Sequence, residues 1–249
     1  MRLTFLGHSA WGLEVDGRRV VVDPYPVSPA AADGILDYGS KGCDCVLVTH
    51  GAPDHMGIAL KLLEEVEGTT LISEPAVINH ARASGIDAGR SLVLAWNGER
   101  VVGGWHVRAV EVHHASFFES VDGETLTGMP LGFLVWHESE PEVRVLHLGD
   151  TSLFSDLQML GMLYSPMVAL VGVGAAIGFF AEMTPAEGAQ AALWLGVDVA
   201  LPMHCEADPS EAESFCAAVR HLPRKVSTWV PEIGHTFGIS RETRIELQG

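Results

Sequence analysis

A short apolar run near the start of this chain ends in side chains that suit a metal ion. Residues 46–48 read Val-Leu-Val and predict a buried strand, and His50, Asp54 and His55 follow it closely. Imidazole nitrogens and ionised carboxylate oxygens are common ligands of first-row metals in proteins. A solvated loop that carries two exposed histidines is the alternative interpretation. The pattern favours a strand that presents metal ligands at its C-terminal end.

The same stretch, His50-Gly51-Ala52-Pro53-Asp54-His55, resembles the His-x-His-x-Asp-His signature of the metallo-β-lactamase fold. Ala52 stands where that signature has its second histidine. In the family, the first two histidines serve one metal and the Asp-His pair serves a second. The resemblance therefore implies a weakened first metal position and an intact second one.

The charge of the chain limits the partners that it can bind. Its 249 residues carry a net charge of −17, with a pI near 5.0, and no run of lysine or arginine offsets this charge. Such a surface repels phosphate backbones, so the sequence predicts no nucleic-acid partner and argues against a nuclease. We expect a small-molecule substrate instead.

The apolar content indicates an ordered core. Hydrophobic residues make up 47% of the chain and charged residues 19%, which is typical of a globular protein. No apolar stretch reaches the length of a membrane span, and the four cysteines form no C-x-x-C pair. We expect a single domain over residues 1–249 that is cytoplasmic, has reduced thiols and has no membrane contact. The sequence does not indicate an oligomeric state.

The hydrophobic pattern predicts strands first and helices afterwards in each half of the chain. Residues 3–6, 11–15 and 19–22 predict an antiparallel meander, with Asp16-Gly17 at a hairpin turn. Residues 24–40 are rich in Pro, Ala, Gly and Asp and predict a loop. Beyond residues 46–48, strands are predicted at 70–72, 91–95, 105–112, 132–136, 143–148, 167–171, 199–202 and 226–230, and helices at 58–66, 75–83 and 152–161, after Thr184 and from Asp208.

This order of elements agrees with an α/β (α+β) fold in which two sheets pack face to face and helices cover their outer sides. The resemblance implies the same four-layer αββα sandwich, since its landmarks run in order from Gly7-His8-Ser9 to His204. The segment 183–196 is also similar to a helix of the lactonase-like relatives of the ascorbate-phosphate lactonase type. We predict that the glycine-rich residues 172–178 form a close-packed loop that lines the cleft.

Two adjacent histidines follow the strand predicted at 105–112. Adjacent side chains of an extended chain point to opposite sides, so at most one of His113 and His114 is expected to face a site. The family has a histidine followed by small residues here, and His114-Ala115-Ser116 fits that pattern better. His235 is interpreted as a surface or rim residue.

Asp150 follows another predicted strand and has two interpretations. It could cap the helix predicted at 152–161, because aspartate is a preferred N-cap residue. By resemblance, a Gly-Asp pair at this place supplies the carboxylate that bridges two metals.

The resemblance also makes His204, after the strand at 199–202, the last metal ligand, and it places His8 near the metals. Cys205 is interpreted as a small buried thiol.

The resemblance implies a metal-dependent hydrolase that activates water for attack on a small ester, lactone or phosphoester. The alternative is a catalytically impaired metal- or ligand-binding protein of the same fold. Asp54 and His8 are the predicted catalytic residues, and Asp23 is a predicted hydrogen-bond partner of a ligating histidine. The predicted ligands of a divalent metal (Zn, Mn or Fe) are His50, Asp54, His55, His114, Asp150 and His204. One metal is expected to bind tightly at Asp54, His55, Asp150 and His204, and a second to bind weakly on the His50 side.

Overall fold

Two β-sheets face each other in the computed structural model, which describes residues 1–174, 182–205, 208–241 and 245–248. The strands are β1 (Arg2–Gly7), β2 (Ala10–Val15), β3 (Arg18–Val22), β4 (Cys43–Val48), β5 (Thr70–Ser73), β6 (Ser91–Val93), β7 (Glu99–Val102), β8 (Trp105–Glu111), β9 (Ser116–Glu119), β10 (Thr125–Gly128), β11 (Leu131–His137), β12 (Val145–His147), β13 (Val168–Gly172), β14 (Val199–Met203), β15 (Thr236–Gly238) and β16 (Glu246–Gln248). The helices are α1 (Pro29–Ser40), α2 (Pro53–Met56), α3 (Ala59–Glu65), α4 (Pro75–Ala83), α5 (Leu157–Tyr164), α6 (Pro185–Leu195) and α7 (Ser210–Arg220), with a 3-10 turn at Ala88–Arg90.

The first sheet has the strand order β16-β15-β1-β2-β3-β4-β5-β6, and the second has the order β14-β13-β12-β11-β8-β7. Strands β9 and β10 form a separate hairpin. In the first sheet β3, β4, β5 and β6 run parallel to one another, and in the second sheet β12, β13 and β14 do so. Parallel neighbours end at the same edge of a sheet, so the residues that follow them lie close together.

Three apolar clusters define the layers. The central cluster joins the inner faces of both sheets, with Leu13 and Leu47 from the first and Phe133 and Leu201 from the second. A second cluster packs the outer face of the second sheet against α5, α6 and α7. A third packs the outer face of the first sheet against α1, α3 and α4. The predicted four-layer αββα sandwich is therefore confirmed.

The prediction of a loop over residues 24–40 is wrong, because α1 occupies most of that stretch. The side chain of Ser28 accepts a hydrogen bond from the backbone N–H of Ala31, and Pro29 takes the first helical position, where it costs no hydrogen bond. Ile35 is fully buried against the third cluster. These signals lay in a stretch whose Pro and Gly content is typical of loops.

The predicted strand over residues 226–230 is also wrong. Only an isolated bridge between Val199 and Ser227 forms there, and Val226 is buried by packing against the second cluster instead of in a strand ladder. The chain ends instead in β15 and β16, which extend the first sheet. Helix α5 begins at Leu157, later than the predicted residue 152.

Residues 175–178 of the predicted glycine-rich loop lie outside the described part of the chain. Gly174 is described, and it packs closely as predicted: a Cβ there would lie 1.7 Å from the carbonyl oxygen of His204. Within the described ranges, every helix is too short or too polar to cross a membrane.

Candidate metal centre

Four histidine side chains converge on one carboxylate oxygen at the edge where strands of both sheets end. Asp150 Oδ2 lies 3.1 Å from Nε2 of His55 and 3.5 Å from Nε2 of His204. The same oxygen lies 3.7 Å from Nε2 of His114 and 3.9 Å from Nε2 of His50. Each of these residues comes from a segment that directly follows a strand, so the fold gathers donors that are far apart in sequence.

The loop after β4 supplies His50 and His55. His55 lies in α2, a single turn that begins at Pro53, and the chain then reverses at Gly57 with a φ of 44°. A Cβ on Gly57 would lie 2.3 Å from the carbonyl oxygen of Pro24, so this reversal requires glycine. The backbone N–H of Ile58 donates to the same carbonyl and fixes the turn to the end of β3.

Asp150 follows β12 and points into the cluster. Helix α5 begins at Leu157 with Asp156 at its N-cap position. Asp150 therefore does not cap that helix, and this alternative is removed. Only 3% of Asp150 is exposed.

His204 follows β14 in a left-handed backbone conformation, with a φ of 63°. Such a conformation is uncommon for a residue other than glycine and marks functional sites in many proteins. The backbone N–H of His204 donates to the carbonyl of His8, which joins the ends of the two sheets. The neighbouring Cys205 is buried, as expected, and its thiol donates to the carbonyl of Met203.

His8 lies in the cleft beside Asp54. Its Nε2 is 3.4 Å from Asp54 Oδ2, and its ring centroid is 4.1 Å from that of His204. Nε2 of His204 lies 3.6 Å from the same Asp54 oxygen. The Asp54 side chain is 42% exposed, so it borders the opening of the site.

The two adjacent histidines face different surroundings. His113 stacks on Phe154 at 4.1 Å between ring centroids and pairs with Glu111 at the surface. His114 points to Asp150, as preferred from the sequence. The hydroxyl of Ser116 accepts a hydrogen bond from Gly51 N–H, which ties this segment to the loop that carries His50.

Asp23 lies behind His55 and is fully buried. Its Oδ2 is 2.8 Å from His55 Nδ1, and it accepts hydrogen bonds from the backbone N–H and the hydroxyl of Thr49. This contact fixes the orientation of the His55 ring and leaves Nε2 facing Asp150. Carboxylate partners of this kind are common behind metal-ligating histidines.

The charges in the cluster are strongly coupled. Burial lowers the pKa of His50 to about 3, and the neighbouring His55 adds to this effect. Burial also acts to lower the pKa of His55, but Asp150 and Asp23 on its two sides raise it well above the usual value. Burial would raise the pKa of Asp150, yet His55 and His204 lower it overall. His50 is therefore neutral and Asp150 ionised near pH 7, which are the states that bind a metal, whereas His55 would release its ring proton to a bound metal.

Several buried polar atoms of this cluster have no hydrogen-bond partner among the described residues. They are Nε2 of His50 and His204 and Oδ1 of Asp150. Buried polar atoms normally have hydrogen-bond partners, so several unpartnered nitrogen and oxygen atoms at one place indicate a binding site for a cation. The donor atoms fall into three groups in which all atoms lie within 4.8 Å of one another: His8, Asp54, His55 and His204; His50, His114 and Asp150; and Asp150, Glu182 and His204. The residues present thus fit a metal ion.

Glu182 was not predicted from the sequence. It lies just before α6, follows no predicted strand and belongs to no histidine motif, so no local pattern marks it.

Ala52 lies at the N-cap position of α2 and supplies no donor, so the group on the His50 side has three members. His235 pairs with Glu232 and belongs to none of the three groups, in agreement with its interpretation as a rim residue.

Two facing sheets with histidines and carboxylates gathered at one edge define a fold of the metallo-β-lactamase type. A family profile described as "Beta-lactamase superfamily domain" matches residues 2–204. The chain is 32% identical over 243 residues to a "UPF0173 metal-dependent hydrolase" of Rubrobacter xylanophilus, covering 95% of this chain and 96% of that protein. It is 33% identical over 242 residues to a protein of the same description from Methanopyrus kandleri, covering 95% and 99%. The chain therefore belongs to the β-lactamase superfamily and, within it, to the UPF0173 metal-dependent hydrolases.

A solved structure supports the same assignment. The chain is similar to Igni18, described as a novel metallo hydrolase from the hyperthermophilic archaeon Ignicoccus hospitalis, with a TM-score of 0.75 and 27% identity. The similarity covers 96% of this chain and 99% of that one. The likeness thus extends over nearly the whole chain.

Proposed function

We propose that the cluster holds a divalent metal and that the protein hydrolyses a small ester, lactone or phosphoester. The observation that supports this most is the convergence of four imidazoles on the single oxygen Asp150 Oδ2. Zn, Mn and Fe all suit such a mixture of nitrogen and oxygen donors. We also propose that residues 1–249 act as one domain, that the protein is cytoplasmic, and that nucleic acid is not a substrate.

In this proposal Asp54, His55, Asp150 and His204 hold the tightly bound metal. His50, His114 and Asp150 would hold a second metal more weakly, because Ala52 offers no ligand at that position. Asp23 holds His55 in its ligating orientation through Nδ1. When bound, a divalent metal lowers the pKa of a coordinated water toward about 7 and polarises an oxygen of the substrate.

Two residues at the opening of the cleft act on the water and the substrate. Burial favours the neutral form of Asp54, but His204 and His8 hold the pKa of its carboxyl well below the usual value. An ionised carboxylate accepts hydrogen bonds, so Asp54 orients the attacking water in addition to its role as a ligand. His8, beside Asp54, contacts the substrate or that water.

A hydrolysis assay with three chromogenic or pH-detected substrates tests the reaction. We expect turnover of at least one of p-nitrophenyl acetate, δ-valerolactone and bis(p-nitrophenyl) phosphate, and its loss after chelation. A protein that binds metal stoichiometrically but turns over no member of the panel favours the alternative, a metal- or ligand-binding protein of this fold.

Replacing Ala52 by histidine tests the weakened metal position. The change should restore an imidazole donor on the His50 side and raise the metal content from one toward two ions per chain. Loss of an outer hydrogen-bond partner alone typically changes metal affinity by about 10–100-fold, so a restored ligand should tighten the weak position by at least about 10-fold. Titration with Zn²⁺ followed by elemental analysis gives the stoichiometry.

Ala52→Gln is the control, because it adds similar bulk without an imidazole. A wild-type protein that already binds two metals with equal affinity would contradict the one-metal proposal, as would an Ala52→His variant with unchanged stoichiometry.

Replacing His8 by alanine tests its role at the substrate. Because Asp54, His55, Asp150 and His204 remain, we expect the variant to retain one metal per chain. Its kcat/KM should fall by about 100-fold, in the range typical of a positioned acid–base group. His235→Ala, at the rim, should change neither quantity. Loss of the metal in His8→Ala would show instead that His8 is a required ligand.

A further inference from the structure

Glu182 brings a third carboxylate to the cluster. One carboxyl oxygen of Glu182, one carboxyl oxygen of Asp150 and one ring nitrogen of His204 lie within 4.8 Å of one another. Only 7% of Glu182 is exposed, and Asp150 is also buried. Two carboxylates therefore share a volume from which water is largely excluded, and Oδ2 of Asp54 lies 3.6 Å from Nε2 of the same His204.

No lysine or arginine of the described ranges forms an ion pair with Glu182. Asp150 beside it repels its charge, and the imidazoles of His204 and His55 attract it. A buried carboxylate without a cation is costly, because desolvation disfavours its charged form. A second observation points to the same place: Oδ1 of Asp150 and Nε2 of His204 are buried and have no hydrogen-bond partner among the described residues. A divalent cation would satisfy all three groups.

The position of Glu182 complements the substitution at Ala52. The imidazole that Ala52 lacks belongs to the His50 side of the cluster, whereas Glu182 lies on the His204 side. The chain thus has fewer nitrogen donors on one side and an additional oxygen donor on the other. We propose that Glu182 is a carboxylate ligand of the metal that Asp150 and His204 bind, and this inference rests on the proposed metal centre.

This ligand set has a consequence for metal preference. Carboxylate oxygens suit Mn²⁺, whereas imidazole nitrogens suit Zn²⁺. Removal of the Glu182 oxygen should therefore weaken Mn²⁺ binding more than Zn²⁺ binding. A general loss of negative charge near the site would weaken both divalent ions alike, so the ratio of the two affinities distinguishes a ligand from a nearby charge.

The experiment compares the wild type with Glu182→Gln in competition titrations with Mn²⁺ and Zn²⁺, and follows bound Mn²⁺ by electron paramagnetic resonance. We expect the Kd for Mn²⁺ to rise by at least about 10-fold, because loss of a ligand should cost at least as much as loss of an outer partner. The Kd for Zn²⁺ should rise less, and the spectrum of any residual Mn²⁺ should change. Glu187→Gln is the matched control: it removes the same charge at an exposed position, and glutamine is accepted in its capping box with Thr184.

Glutamine keeps a neutral carbonyl oxygen, whereas Glu182→Ala removes the oxygen donor altogether, and it keeps the test decisive if glutamine disturbs the packing. An Mn²⁺ affinity equal to that of the wild type in either folded variant overturns the inference, and so does an equal loss for Mn²⁺ and Zn²⁺. A wild-type protein that binds neither metal overturns the proposed function itself. A wild type that binds metal, with folded Glu182 variants that bind it unchanged, overturns only the role of Glu182.

Discussion

Replacing His55 or His204 by alanine is expected to abolish tight metal binding. Each residue supplies a buried Nε2 close to Asp150 Oδ2, at 3.1 Å for His55 and 3.5 Å for His204. Loss of a hydrogen-bond partner of a metal ligand typically lowers metal affinity by about 10–100-fold, and loss of the ligand itself should lower it further. Elemental analysis of each purified variant, followed by titration with Zn²⁺, measures the loss.

His113→Ala provides the matched control, because His113 is adjacent to His114 but stacks on Phe154 outside the cluster. It should retain the metal content of the wild type. Full stoichiometry in both His55→Ala and His204→Ala would show that the proposed ligand assignment is wrong.

Asp23→Asn is expected to reduce both stability and metal affinity. Asp23 is the buried partner of His55 and accepts two hydrogen bonds from Thr49, so Asp23→Asn leaves Nδ1 of the His55 ring without its carboxylate, while Asp150 stays at Nε2. Breaking a buried charge pair typically costs about 3–5 kcal/mol of unfolding free energy. Metal affinity should fall by about 10–100-fold, because the ring loses its fixed orientation. Asparagine tolerates the left-handed φ of 44° at this position, so backbone strain should not add to the measured loss of stability.

Urea unfolding of the metal-free protein and a Zn²⁺ titration measure the two effects. Asp33→Asn, on the exposed side of α1, is the control and should change neither. An Asp23→Asn variant that is as stable as the wild type and binds metal as tightly would contradict the role of Asp23 behind His55.

The elements that could be predicted from the sequence are those with strong local signals. Helix α4 has the predicted bounds because Pro75 suits the first helical position, and the Glu74 side chain accepts from the first backbone N–H groups. The capping box of Thr184 and Glu187 likewise fixes the start of α6. At the turn between β2 and β3, Asp16 and Gly17 both have positive φ, as expected for this pair.

The site residues that lie at the ends of strands could also be predicted from the sequence. His50, His114, Asp150 and His204 each follow a strand whose end lies at the same edge, and the structure brings these side chains together. Their role as ligands remains a prediction. The alternation of an extended chain limits the site to one of His113 and His114, and the family resemblance favoured His114.

Other features depend on contacts that a local pattern does not contain. Glu182 joins the cluster because it lies close to Asp150 and His204 in the fold, and nothing adjacent to it in the sequence indicates that proximity. The contact between His8 and Asp54 joins the turn after β1 to helix α2, two segments that are far apart in the sequence. Helix α1 was missed because Ser28 and Pro29 lie in a stretch whose composition is typical of a loop.

The metal content of the wild-type protein tests the central claim most directly. The protein is purified without added metal, analysed for Zn, Mn and Fe, and then stripped with a chelator and titrated with each ion. We predict that it binds one divalent metal tightly, with a second position that fills only at higher concentration. A wild-type protein that is folded, contains no metal and takes up none of the three ions would contradict the account.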